Sequence, residues 1–107
     1  MIVVVGRVST DAGKREELVR IGQAVAVASR EEPGCISYRV YEDCERPGDF
    51  VFVEEWESQA ALQEHFRTQH IAEFMRAISG AIVGPPDVKF HDIASSTDLS
   101  EVTAGQR

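Results

Sequence analysis

The chain is short of positive charge. Eleven Lys and Arg stand against eighteen Asp and Glu, giving a net charge of -7. Nucleic acid and anionic membrane surfaces are therefore disfavoured as partners. Cysteine is scarce too: only Cys35 and Cys44 are present. They flank a predicted strand whose nine residues would hold them about 30 Å apart, out of disulfide reach. No CxxC or Cys/His spacing suggests zinc, so no metal is expected. No apolar run has the length of a membrane-spanning helix. The N-terminal MIVVVGRV lacks the basic start and cleavage site of a signal peptide, so a cytoplasmic location is expected.

What is present suits one globular domain of 107 residues, 43% hydrophobic and 27% charged. Ile2 to Val8 is an almost unbroken β-branched run, read as a strand buried on both faces. Thr10, Asp11 and Gly13 make a turn. A helix follows from Lys14 to about Arg30, with Leu18, Ile21, Gly22, Val25 and Ala28 along its inner side. Glu32, Pro33 and Gly34 end it. Cys35 to about Asp43 alternates as a second strand, with Ile36, Tyr38 and Val40 on one side and Cys35, Ser37, Arg39 and Tyr41 on the other. Glu45 to Asp49 reads as a polar hairpin loop.

The next stretch, Asp49 to Ile78, runs from a strand straight into a broken helix and carries the single Trp. Period-2 alternation places Phe50, Phe52, Glu54 and Trp56 on one face of the strand, and Val51, Val53, Glu55 and Glu57 on the other. A carboxylate among aromatic rings requires a donor, a raised pKa or access to water. Ser58 suits an N-cap. Down the helix, Leu62, His65 and Phe66 share a stripe that faces the sheet. Thr68 reads as a second N-cap, and Ile71, Phe74, Met75 and Ile78 form the next stripe. The break puts His70 in a first helical turn, where the dipole favours neutral imidazole. Val88 to Ala94 is the last strand, with Val88 and Phe90 opposed to Lys89 and His91. Residues 1–95 are thus expected as the domain and 96–107 as a disordered polar tail.

The order β-α-β-β-α-β predicts an α+β, ferredoxin-like split βαβ fold: a four-stranded antiparallel sheet with helices on one face. The other face would stay bare although the strands carry apolar side chains there. A homodimer that closes this face into an α/β barrel is expected.

The segments EEPGCISYRVYED, DFVFVEEWES and AALQEHFRTQHIAEF resemble the antibiotic biosynthesis monooxygenase (ABM) domain family, over about residues 2 to 94. The specific parts are PG-C-x-S-Y at residues 33–38, E-x-W at Glu54 and Trp56, and H-x4-H at His65 and His70. The resemblance implies a dimeric α+β barrel with a small-molecule pocket between sheet and helices. Relatives of this kind oxygenate aromatic or quinol substrates without metal or flavin; others degrade haem, and others isomerise small phosphorylated sugars. The haem-degrading branch uses an Asn on the first strand, and this sequence contains no Asn.

The expected function is a cofactor-independent monooxygenase acting on a small aromatic, quinol or polyketide-like substrate. Such an enzyme needs an aromatic cage, one base and a few donors for an oxyanion. Phe52, Trp56, Phe66 and Phe74 are the cage, His65 the base, and Glu54 its orienter or replacement. Tyr38 is a donor, and His70 a further substrate-binding residue. Each has a plainer reading as well: Trp56 and His65 as satisfied core, His70 as a cap. An isomerase of a small oxygenated or phosphorylated metabolite, or a non-catalytic ligand-binding dimer, fits the same fold.

Overall fold

The structure, a computed structural model, describes residues 1–104. Its elements are β1 (Ile2–Ser9), α1 (Arg15–Arg30), β2 (Cys35–Glu42), β3 (Asp49–Trp56), α2 (Gln59–His65), α3 (Gln69–Ser79), β4 (Asp87–Asp92) and α4 (Leu99–Ala104). The strands form one antiparallel sheet in the order β2-β3-β1-β4. This is the split βαβ arrangement that the hydrophobic periodicity predicts. Among the described residues no helix is long and apolar enough to cross a membrane.

Strand alternation fixes which side chains meet the helices. Ile2, Val4 and Val8 of β1 and Phe50, Phe52, Glu54 and Trp56 of β3 are buried on the helix side. The other side of β1 differs from its expected burial: Val3 and Val5 are only half-buried, and Arg7 and Ser9 are exposed. That face of the sheet has no helix over it, so a β-branched run here records strand propensity as much as burial. β4 is thinly covered, with Phe66 at the end of α2 packing its ring 6.2 Å from that of Phe90. Val88 and Phe90 pair with Gly6 and Val4 and so project to the helix side, yet they are 44% and 52% exposed.

β2 departs from simple alternation. Cys35 pairs with Trp56, but Ser37 already pairs with Glu55, a bulge that gives Ile36 no partner position. One extra residue reverses the faces before it. Cys35 therefore sits on the helix side with Tyr38, and Ile36, expected beside Tyr38, is 51% exposed. Cys35 and Cys44 are both free.

The helix break follows the caps. Ser58 Oγ accepts from Ala61 N–H at 3.1 Å and starts α2. Thr68 Oγ1 accepts from Ile71 N–H at 3.3 Å and donates to the His65 carbonyl at 2.7 Å. One hydroxyl thus ends α2 and begins α3. The tail carries the short α4, every residue of which is exposed; what was expected of the tail beyond residue 104 lies outside the described residues.

Gly34 sets how closely the α1–β2 turn approaches α2. Its carbonyl accepts from Glu57 N–H at 2.9 Å, and a Cβ there would collide with Ala61 Cβ. Gly34→Ala should therefore destabilise the fold by about 1–3 kcal/mol through overpacking, measured as a lower urea midpoint at unchanged m-value. A variant as stable as the parent would mean that α2 moves aside freely.

Candidate functional site

A cavity of about 280 Å³ opens between the sheet and α3. Its walls are Val4, Val8, Phe52, Phe74 and Ile78, and Phe66, Met75, Val88 and Phe90 stand toward its exposed end. Three polar side chains reach it: Tyr38, Glu54 and His65. Neither Lys nor Arg lines it. Of the residues singled out in the sequence, Tyr38, Phe52, Glu54, His65, Phe66 and Phe74 come together here. Trp56 and His70 do not line the cavity. Trp56 is fully buried behind it, with its ring 4.5 Å from that of His65. His70 lies on the far side of His65, with ring centroids 5.9 Å apart.

Glu54 occupies the centre of the sheet, paired with Val4 on one side and Tyr38 on the other. Trp56 Nε1–H donates to its Oε1 at 2.9 Å, and the Tyr38 hydroxyl reaches the same carboxylate. These donors satisfy the carboxylate, yet burial outweighs them. Desolvation pushes the Glu54 pKa up to about 7, with a further contribution from the negative charge of Glu32. Burial likewise pushes the Tyr38 hydroxyl upward, aided by Glu54. At neutral pH Glu54 is thus divided between its protonated and ionised forms, while the Tyr38 hydroxyl keeps its proton.

His65 is the last residue of α2 and is 1% exposed. It is Glu32, not Glu54, that orients it. His65 Nδ1–H donates to Glu32 Oε2 at 2.7 Å. His70 Nε2–H donates to the same oxygen, also at 2.7 Å. The proton on Nδ1 leaves the His65 Nε2 lone pair free. That nitrogen has no partner among the described residues. It is not sealed off either, since among them only Ser29 Oγ is both buried and unbonded. The ring lines the cavity, and Nε2 is its nitrogen not engaged by Glu32. Burial lowers the His65 pKa, partly offset by the Glu32 hydrogen bond, so the imidazole is neutral and able to take a proton.

Glu32 is the residue that periodicity missed. It lies in the turn after α1, where its N–H donates to the Ser29 carbonyl and its own carbonyl accepts from Cys35 N–H. Arg30 Nη1 donates to the Tyr38 carbonyl at 2.8 Å and ties this turn to β2. The sequence signal was slight: a Glu just ahead of the Pro33-Gly34 stop, read as a helix end. The ligand atoms of Glu32, His65 and His70 all lie within 4.8 Å of one another, the arrangement among the described residues that suits a metal ion.

The pKa of Glu54 makes stability depend on pH in a known direction. The folded value, about 7, lies above the ordinary 4.5. The folded state therefore holds this proton more tightly than the unfolded chain. Stability is greatest below the unfolded value and falls as pH rises through about 7. Glu54→Gln should remove about 2–3 kcal/mol of that decline, read from urea melts of both proteins at mildly acidic and mildly basic pH. Effects of His65 run oppositely but occur in both proteins and cancel. Parallel pH curves for the two would mean that Glu54 is solvated.

Comparison with known proteins identifies the family. An uncharacterized protein of Synechocystis, sll1783, is 38% identical over 98 residues, spanning 92% of this chain and 67% of that protein. YgiN of Escherichia coli K12, named a probable quinol monooxygenase, is 26% identical over 93 residues, 78% of this chain and 89% of its own length. The solved structure of Rv0793 from Mycobacterium tuberculosis superposes with a TM-score of 0.84 at 25% identity, covering 91% of this chain and 98% of that one. The family profile described as Antibiotic biosynthesis monooxygenase matches residues 1–77, the span that includes Glu32, Tyr38, Glu54, His65 and His70, and the chain therefore belongs to the antibiotic biosynthesis monooxygenase family.

Proposed function

We propose that this protein is a cofactor-independent monooxygenase of a small aromatic or quinol substrate, with His65 as the base. What supports this reading is the buried His65 ring, held through Nδ1 by Glu32 and lining an apolar cavity. The name of YgiN supports quinols as the first class to try. A cavity of about 280 Å³ with apolar walls suits one or two fused rings better than a charged metabolite.

The steps balance without a cofactor. Nε2 takes the proton of a quinol hydroxyl. The quinolate passes one electron to dioxygen, and the semiquinone and superoxide combine at a ring carbon as a hydroperoxide. Loss of water leaves a hydroxyquinone: one oxygen atom stays on the ring, the other departs as water, and the substrate supplies all four electrons. Glu54 in its protonated form donates a hydrogen bond to the developing oxyanion, while Trp56 and Tyr38 hold that carboxyl in place. Apolar walls exclude water from the carbanionic and radical stages.

A base and an acid lining one cavity also suit an isomerase. The wholly uncharged lining beyond Glu54 and His65 speaks against a phosphorylated substrate. Oxygen consumption separates the two readings. Hydroquinones and anthrones should give uptake of one dioxygen per substrate. His65→Ala should lower kcat/KM by about 100-fold or more, and Glu32→Gln by a smaller factor with KM little changed. Turnover without oxygen uptake would move the protein to the isomerase class, and full activity of His65→Ala would remove the imidazole from the mechanism.

The bare face of the sheet, with Val3, Val5, Val51 and Val53 half-buried and Tyr41 53% exposed, supports a homodimer as the working form. Sedimentation at micromolar concentration should give twice the 11.8 kDa chain mass. A monomer there would mean that the site functions within one chain.

A further inference from the structure

We propose that Glu32, His65 and His70 form a binding site for a divalent transition metal, zinc above all, and that filling it turns the base off. The second half rests on the reading of His65 as the base; the first does not.

The donor set is two imidazole nitrogens and one carboxylate oxygen, drawn from the α1–β2 turn, the end of α2 and the first turn of α3. This is the chemistry of a three-ligand zinc site that keeps one open position. The geometry is already convergent: both nitrogens aim at the same oxygen from 2.7 Å. Ligands 2.0–2.2 Å from zinc in a tetrahedron stand about 3.3–3.6 Å apart, so Glu32 would withdraw by roughly 1 Å or less and the two nitrogens, within 4.8 Å of each other, would settle at that spacing. His65 is almost wholly enclosed, whereas the His70 side chain is 26% exposed. The fourth position is therefore met by water on the His70 side. The ion would enter there and not through the cavity.

Occupation changes the tautomer of His65. Without metal, Nδ1 carries the proton and Nε2 is the acceptor of a ring that lines the cavity. A metal on Nδ1 requires the lone pair there and leaves the proton on Nε2. His70 makes the converse exchange, from Nε2 to Nδ1. Each imidazole keeps one proton, so none is released from this pair. The ring then carries an N–H donor where it had a base. Substrate can still bind, but the quinol hydroxyl keeps its proton. The spacing of His65 and His70 alone does not announce such a site, because the third ligand lies 33 residues before His65.

The test is zinc and cobalt chloride titrated into the full chain after chelator treatment. Calorimetry should give one zinc per chain, and cobalt should give the visible bands of a four-coordinate ion. Glu32→Gln and His70→Ala should each weaken binding by about 100-fold or more. His91→Ala, which removes an exposed histidine of β4, should not. No binding at micromolar metal, or equal binding by Glu32→Gln and His70→Ala, would overturn the site. The switch is read separately, from the imidazole ¹⁵N resonances of His65: Nε2 should change from an unprotonated to a protonated nitrogen on zinc addition. Zinc should lower quinol turnover with the midpoint found by calorimetry. Bound zinc with an unprotonated Nε2, or turnover raised by zinc, would overturn the switch. Were no quinol oxidised at all, the calorimetry and the resonances would still decide this proposal, and only the oxygenase reading would fall.

Discussion

Two imidazoles meet at one carboxylate oxygen, and the position of the functional groups depends on that meeting. Burying Glu32 against His65 and His70 would be unfavourable without donors, because a carboxylate withdrawn from water loses several kcal/mol of solvation. Two N–H groups at 2.7 Å supply them. The arrangement requires that α2 stop at His65 and that α3 begin soon enough to bring His70 to the same oxygen. Thr68 does both with one hydroxyl. It also requires that the α1–β2 turn come close to α2, which a side chain at position 34 would prevent. The helix break, the glycine and the two histidines therefore serve one arrangement, although the glycine lies far from the others along the chain.

The second carboxylate answers the same problem differently. Glu54 also has donors, from Trp56 and Tyr38, but it lies deeper in the sheet and keeps its proton up to about pH 7. His65, a short distance away across the cavity, has its pKa moved the other way. One fold thus separates an acid from a base by surroundings alone, which is the usual way that acid–base roles are assigned at neutral pH. Trp56, which the alternation pattern suggested as part of a cage, supports both groups from behind: it donates to one and packs its ring on the other.

The fold was largely legible because its signals are periodic. Alternation placed Phe50, Phe52, Glu54 and Trp56 on the helix side, and Ser58 and Thr68 marked both helix starts. Periodicity failed where one residue was inserted. The bulge at Ile36 turns Cys35 to the opposite face, and nothing in CISYRVYE announces it. It failed again where a contact was long-range. Glu54 stood near His65 in the pattern, so it was read as the orienting group, whereas the true partner comes from a turn that has no repeat of its own. Local patterns report which way a side chain points. They do not report which distant loop comes to meet it.

The same limit explains why family and fold leave the chemistry open here while the site narrows it. A sheet with helices on one face can carry many reactions, since its backbone makes no demand on them. Three features of this chain do make demands. A lining without Lys or Arg rejects a phosphate. An imidazole with Nδ1 held by Glu32 has its other nitrogen left to accept a proton. A carboxyl held partly protonated near neutral pH lines the same cavity. The helices cover β4 thinly, so Phe66, Met75, Val88 and Phe90 remain partly exposed at the outer end. The rim of the cavity is therefore apolar, as its walls are. The Phe66 ring lies 5.4 Å from that of His65, and Phe90 shares a cross-strand row with Val4 and Glu54, so the apolar rim and the polar groups are close neighbours.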